Sequence, residues 1–181
     1  VSGPVVFGAW SDGYVAALDL LTGTVQWERK VAPAGDFVDV DALRAQGGRL
    51  FAAAYSGAVY ALDARTGEQV WERKTPAPCR LGLGGGVLVA VTNTQVVGIS
   101  PQDGAVRWTV ALEGEVSGDP VVGDGRAAVP NGAGLLWIDT RRGRLLRVFN
   151  PGTGVTATPG WIGSRLYVLS NGGDLVALDL S

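Results

Sequence analysis

A repeat of about 40 residues constrains the fold of this chain more than any other feature. Its clearest marker is an Asp that ends an apolar run, as in the sequence Ala-Leu-Asp at 17–19. The equivalent positions along the chain are Asp19, Asp63, Ser100, Asp139 and Asp179, separated by 44, 37, 39 and 40 residues. Such a period is typical of architectures in which one small structural unit is stacked several times.

Each repeat has the pattern of short β-strands joined by tight turns. In the second unit, the runs RLFAAAY, AVYALD and EQVWERK are separated by Ser-Gly and by Ala-Arg-Thr-Gly. Runs rich in β-branched and aromatic residues with such punctuation are typical of hairpins, and no segment shows a sustained helical period. We count about 18 strands in this way. Four antiparallel strands in about 40 residues form one blade of a β-propeller.

We therefore predict an all-β chain, a β-propeller of four-stranded antiparallel blades with parts of about five blades present. The blades of this single domain are expected at approximately 1–31, 37–75, 78–111, 115–150 and 154–181. The first unit lacks its inner strand and the last lacks its outer strand, and the two remnants do not sum to one blade. We expect an incomplete seven- or eight-bladed ring, whose remainder is missing or supplied by another chain. A compact five-bladed ring is the alternative.

Composition excludes several functional classes. The 181 residues are 46% hydrophobic and 18% charged, as in a folded domain, and the net charge of −2 gives no electrostatic basis for nucleic-acid binding. There is no His, the usual general base, and one Cys, so neither an internal disulfide nor a cysteine-clustered zinc site can form. No run approaches the roughly 18 apolar residues of a transmembrane helix.

The repeat resembles a known family. The order Ala-Leu-Asp, Thr-Gly, Trp at 17–27, and again at 61–71, resembles the pyrroloquinoline-quinone (PQQ)-like repeat. The third unit keeps Trp108 but has Ser100 in place of Asp, and the fourth has Arg147 where Trp is expected. The resemblance covers essentially the whole chain, and it implies a propeller of PQQ-like blades, closest to the BamB-type lipoproteins of outer-membrane-protein assembly.

That family has three functional branches, which are quinoprotein dehydrogenases, BamB-type lipoproteins and sensor domains of receptor-type kinases. The dehydrogenases carry an adjacent Cys-Cys pair and a calcium shell, and neither is recognisable here. The resemblance therefore implies a non-enzymatic, BamB-like interaction scaffold of the bacterial cell envelope, with no cofactor, metal or catalytic residue. The alternative is a quinone- or ligand-binding propeller, either a sensor domain or a fragment of a PQQ-dependent dehydrogenase.

The same resemblance implies the location and the partners of the protein. Because the sequence has no Met, we expect a piece of a longer or processed protein. We expect a periplasmic or otherwise extracytoplasmic location, with a membrane anchor through an N-terminal segment outside this sequence. The expected partners are proteins, among them the outer-membrane assembly machinery and a chain that completes the ring.

Three Trp residues occupy the same position in successive repeats, on the outermost strand. They are Trp27, Trp71 and Trp108. In the family such residues dock each blade on the next, and one aromatic side chain buries about 150–250 Å². The alternative, a quinone-stacking surface, is disfavoured because outer strands lie far from the propeller axis. Strict alternation along the strand places Val25, Trp27 and Arg29 on one side.

The Asp residues of the repeat raise the question of a metal site. The four are Asp19, Asp63, Asp139 and Asp179. They stand at the same point of successive units and are therefore spread around the ring, whereas calcium needs six to eight converging oxygens. We expect each carboxylate to accept backbone N–H bonds across its own D-x-x-T-G turn.

Two other features are expected to be structural. Arg141, Arg142, Arg144 and Arg147 form the only basic cluster, which we interpret as a solvated hairpin tip, with an anionic partner as the alternative. Cys79 is expected to be a small apolar residue of an inner strand.

The topology of a propeller predicts where partners bind. Loops after the second strand of each blade emerge on one face, together with the inter-blade segment 32–41, and rigid scaffolds present binding residues on such loops. The candidates on this loop face are Trp10, Asp12, Tyr55, Asn93, Asn131 and Asn171. The alternative is that they are ordinary turn residues.

Overall fold

The computed structural model describes residues 4–31, 38–76, 79–114 and 117–179. These residues form 18 β-strands and no helix. The strands are β1 (Val5–Ala9), β2 (Tyr14–Asp19), β3 (Val25–Lys30), β4 (Val40–Gln46), β5 (Arg49–Ala54), β6 (Ala58–Asp63), β7 (Gln69–Lys74), β8 (Arg80–Gly84), β9 (Val87–Val91), β10 (Gln95–Ile99), β11 (Val106–Ala111), β12 (Val121–Gly123), β13 (Arg126–Asn131), β14 (Gly134–Asp139), β15 (Arg144–Phe149), β16 (Gly160–Ile162), β17 (Arg165–Leu169) and β18 (Leu175–Asp179).

The strands form five antiparallel sheets in chain order. Sheets 2, 3 and 4 have four strands each (β4–β7, β8–β11 and β12–β15), and sheets 1 and 5 have three (β1–β3 and β16–β18). Among the described residues, sheet 1 lacks the counterpart of β4 and sheet 5 lacks that of β7, as predicted. The prediction of an all-β chain of four-stranded blades is confirmed, and ring closure stays a prediction.

The chain divides into two compact units, which are called the first and the second unit from here on. The first unit comprises Val1–Cys79 with Gln102–Gly104, and the second comprises Arg80–Pro101 with Ala105–Ser181. In both units the middle strands of a sheet are covered on both faces, and all five residues of β9 are buried. This two-sided burial explains the nearly continuous apolar runs of the sequence. Cys79, expected in an inner strand, is buried and immediately precedes β8.

An indole that packs on a turn glycine connects successive repeats. Trp27 packs so closely on Gly67 that a Cβ added there would come within 2.6 Å of the ring. Its Nε1–H donates to the carbonyl of Ala64 at 3.1 Å. Gly67 and Ala64 both belong to the D-x-x-T-G turn between β6 and β7. The equivalent contacts are Trp71 on Gly104, within the first unit, and Trp108 on Gly143, within the second.

The outer strands of sheets 1 to 4 (β3, β7, β11 and β15) each pair through a β-bulge that sets the direction of their side chains. In sheet 1, Trp27 is opposite Ala17 whereas Val25 is opposite Leu18, so Gln26 is the extra residue. Sheets 2, 3 and 4 have the same shift. Since neighbouring residues of β2 point to opposite faces, Val25 and Trp27 also do. The expectation that they share a side is wrong, because strict alternation ignores the bulge.

A small residue on the neighbouring strand, β2, β6 or β10, makes room for each indole. Trp27 and Trp71 are opposite Ala residues, and Trp108 is opposite Gly98. At Gly98 a Cβ would collide with the Trp108 ring. The glycine is therefore required for steric reasons and not for backbone freedom.

In sheet 4 the Trp lies in the third strand instead of the fourth. Trp137 occupies the third strand, and Arg147 stands opposite it in the fourth. Trp137 is buried, and its ring meets Trp161 of β16 edge-on, with the ring centroids 5.8 Å apart. The aromatic that fastens sheet 4 to sheet 5 has moved by one strand, which explains how Arg147 is tolerated at the Trp position.

Replacement of Trp27 by Ala removes a buried ring and its hydrogen bond. We expect the free energy of unfolding to fall by about 3–5 kcal/mol, as for other buried Trp residues. Val25→Ala is the matched control in the same strand, since Val25 is 55% exposed and should lose little. Urea denaturation monitored by circular dichroism measures both, and equal losses would contradict the docking role of the indole.

Candidate functional site

The candidate loop face is built from the turns between the second and third strands of the blades. In sheet 1, which lacks the innermost strand of a blade, this is the turn between β1 and β2. In the first unit the turn of sheet 1 presents Trp10, which is 46% exposed. Its indole lies over Gly8, where a Cβ would approach the ring to 3.1 Å. The main chain of Trp10 bonds Tyr14 across the turn, and the Asp12 carboxylate accepts the Tyr14 N–H at 3.3 Å. Trp10 is therefore an aromatic side chain held in place and half open to solvent.

Tyr55 lies in the corresponding turn of sheet 2, one residue beyond Ala54, the buried register equivalent of Trp10. It is 39% exposed, and its N–H donates to the carbonyl of Asp39 at 2.7 Å. This bond fastens the turn to the residues that lead into β4. Most of the inter-blade segment 32–41 lies outside the described residues, which begin again at 38. The first unit thus presents one exposed aromatic in each of its two turns of this kind.

The second unit uses the same repeat position differently. There the register equivalent of Trp10 is polar and buried in each sheet, and the three residues are Thr92, Asn131 and Ser170. Each accepts main-chain N–H bonds from its own turn, so each is a turn cap. The Asn131 amide oxygen accepts from Ala133 and Gly134, and its nitrogen donates to the carbonyl of Glu113. Asn131 therefore offers no exposed polar group and is left out of the surface proposed below.

The other two candidates of the second unit are exposed. Asn93 lies at the tip of the β9–β10 turn. Asn171 accepts from the N–H and the hydroxyl of Thr156 at 3.1 and 2.7 Å, and its own N–H donates to Gly154. Asn171 thus holds the loop before β16, a structural task that its sequence context did not indicate.

Capping of its own turn was predicted for all four Asp residues of the repeat, and Asp19, Asp63 and Asp139 show it. The Asp63 carboxylate accepts the N–H groups of Arg65 and Thr66 at 2.9 and 3.0 Å. These two hydrogen bonds, of which the one from Thr66 has the larger effect, lower the pKa of Asp63. Asp19 and Asp139 make equivalent bonds, and their pKa values are lowered for the same reason. Asp179 instead pairs with Arg165 at 3.1 Å.

These carboxylates do not converge on an ion. Within the described ranges, no group of three or more His, Cys, Asp and Glu side chains is placed to hold a metal. A cavity of about 400 Å³ in the first unit is lined by apolar residues, among them Val5 and Phe7, and by the polar residues Gln26, Asp63 and Arg65. Because the Asp63 carboxylate is committed to its turn, this cavity contains no obvious reactive group.

Trp-docked sheets with capped D-x-x-T-G turns define the class of the protein, a PQQ-like repeat propeller. The chain matches the model of the family described as outer membrane protein assembly factor BamB, over residues 11–80 and 77–181. It therefore belongs to this family. No curated protein matches the chain.

Solved structures of similar fold are numerous and functionally diverse. BamB from Moraxella catarrhalis superimposes with a TM-score of 0.85 at 23% identity, covering 99% of this chain and 56% of that one. The computationally designed Ika8 protein gives 0.79 at 18% identity, with 99% and 56% covered. Quinohemoprotein alcohol dehydrogenase from Comamonas testosteroni gives 0.72 at 15% identity, with 99% and 40% covered.

These likenesses establish the fold alone, since all three identities are below 25%. The chain spans about half the length of the BamB structure that it matches. In the part of the chain that the structure describes, no helix is long and apolar enough to cross a bilayer.

Protonation of the turn carboxylates should destabilise the fold in acid. A depressed native pKa means that the stabilisation is complete above the unfolded value, near 3.8, and is lost as the pH falls through the native value. Asp63→Asn keeps the acceptor oxygen but removes the charge. We expect the variant to be less stable than the wild type near neutral pH and to lose less stability below about pH 4. Urea midpoints across this range measure the effect, and parallel pH curves for the two proteins would contradict it.

Proposed function

We propose that the chain is part of a non-enzymatic interaction scaffold of the bacterial cell envelope. Membership in the BamB family supports this class of function. The observation that carries the proposal is a difference in the turns that follow the second strands of the blades. Each of these turns contains a buried polar cap in the second unit and a half-exposed aromatic, Trp10 or Tyr55, in the first.

The chemistry of these two side chains fits protein recognition. Trp and Tyr are enriched at binding hot spots because they bury a large area and have few rotatable bonds. Trp10 is further restrained by its contact with Gly8, so little conformational entropy is lost when a partner covers it. Asp12 beside it adds a charged group at the rim. The proposed docking surface therefore consists of Trp10, Asp12 and Tyr55, all in the first unit.

We further propose that the chain catalyses no reaction and needs no cofactor. The sequence has no His, and the single thiol is buried. Three of the repeated carboxylates are engaged by turn N–H groups. The dehydrogenase among the structural neighbours keeps a quinone- or ligand-binding propeller as the alternative.

The family also supports a proposal for location and partner. We place the protein in the periplasm, anchored at the membrane by a segment outside this sequence. The partner of the docking surface would be a protein of the outer-membrane assembly machinery, as the family description implies.

Substitution of the exposed aromatics tests this proposal. We expect Trp10→Ala and Tyr55→Ala each to weaken binding to the purified periplasmic part of the assembly machinery by about tenfold or more, at unchanged melting temperature. Leu21→Ala is the control, because Leu21 is 89% exposed in the turn at the opposite end of β2. Biolayer interferometry measures the dissociation constants.

Two results would contradict the scaffold proposal. One is binding that is equally tight in Trp10→Ala, Tyr55→Ala and the wild type. The other is saturable quinone binding near one equivalent in an absorbance titration, which would favour the ligand-binding alternative.

A further inference from the structure

Positive charge is concentrated in one continuous part of the second unit. Residues 140–173 contain five Arg and no Asp, Glu or Lys, a net charge of +5. The rest of the chain holds the remaining 10 basic and all 17 acidic residues, a net charge of −7. A near-neutral total therefore conceals a strong segregation of charge.

Four of these arginines lie in one exposed strand or in the turn that precedes it. Arg144 and Arg147 lie in β15, and Arg141 and Arg142 lie in the turn before it, all of them exposed. Asp139 is the nearest carboxylate in the sequence, and its Oδ1 already accepts the N–H groups of Arg141 and Arg142. Within the described residues, none of the four arginines forms a salt bridge.

The same strand is an open edge with apolar side chains. It is the last strand of sheet 4 and pairs only with β14 among the described strands. The outer strands of sheets 1, 2 and 3 (β3, β7 and β11) each bury a Trp, whereas five of the six residues of β15 are exposed. Leu145, Leu146 and Val148 are 46%, 43% and 53% exposed. An edge of this kind presents unpaired N–H and C=O groups to any extended chain.

The bulge in β15 sorts these side chains onto two faces. Arg144 is opposite Asp139 and Arg147 is opposite Trp137, which are two residues apart and share a face of β14. Leu145 and Val148 are opposite Ile138 and Leu136, on the other face. Without the bulge the two arginines would point in opposite directions. The edge thus has a cationic side and an apolar side.

We propose that β15 is a docking edge for an acidic, extended segment of a partner protein. The segment would add as a further strand, with carboxylates at alternate positions facing Arg144 and Arg147, and with apolar residues between them facing Leu145 and Val148. A lipid headgroup would satisfy the arginines but not the main-chain groups of the edge, so the strand is the better match. This surface is separate from the docking surface around Trp10 and goes beyond the scaffold proposal, and either can fail alone.

Binding of a designed peptide tests the proposal. The probe is a short, fluorescently labelled peptide of alternating Glu and Val, titrated with the chain in fluorescence anisotropy. We expect saturable binding that weakens as salt increases. The double variant Arg144→Glu/Arg147→Glu should weaken binding by roughly tenfold or more. Arg65→Glu, which makes half of this charge change at the turn position of sheet 2 that corresponds to Arg141, should alter it by less than about twofold.

Three further arms complete the test. Arg144→Lys/Arg147→Lys keeps the charges and should bind within a few-fold of the wild type, which guards against a folding defect in the Glu variants. A peptide N-methylated at alternate residues cannot donate to β15 and should bind roughly tenfold more weakly. Vesicles containing anionic phosphatidylglycerol should bind more weakly than the peptide.

The outcomes that overturn the proposal are distinct. They are absence of peptide binding, equal binding of the N-methylated peptide, equal binding by Arg144→Glu/Arg147→Glu, and a preference for the vesicles.

Discussion

The contact between an indole and the turn glycine of the next repeat is the interaction on which the rest of the structure depends. A single sheet of three or four short strands is marginal alone, because its apolar faces need a cover. The contact of Trp27 with Gly67 supplies this cover and adds a hydrogen bond to Ala64. The contact requires a capped turn, since Asp63 holds the main chain that receives the ring. The docking of successive repeats therefore depends on the capping of these turns.

Docking uses the turns at one end of the strands and leaves the turns at the opposite end available for function. The D-x-x-T-G turns are occupied by docking, whereas the turns after the second strands can vary without loss of the fold. In the second unit they are closed by buried caps such as Asn131, and in the first they present Trp10 and Tyr55. The outer strand β15, released from docking because Trp137 takes over that role, is available as a second surface.

The repeat in the sequence was sufficient to predict the blades, the strand count, the docking position of the Trp residues and the Asp-capped turns, because each of these features recurs in several repeats. Departures from the repeat were harder to interpret. The β-bulge that turns Val25 away from Trp27 has no sequence marker of its own. Arg147 signalled a different contact, but its compensation by Trp137 lies one strand away and is visible only in the register. The capping role of Asn131 likewise depends on burial, which a polar residue in a turn does not reveal.

Two glycines allow the most direct measurement of the central claim. Gly23 and Gly67 occupy the same D-x-x-T-G position with φ of +71° in both, yet Gly67 carries the Trp27 ring whereas Gly23 has no neighbouring atom within 4 Å. Ala strains both backbones equally, so the difference between Gly67→Ala and Gly23→Ala isolates the indole contact. We expect Gly67→Ala to lower the free energy of unfolding by about 1–3 kcal/mol more than Gly23→Ala in urea denaturation. Equal losses in the two variants would contradict the claim that this contact holds the repeats together.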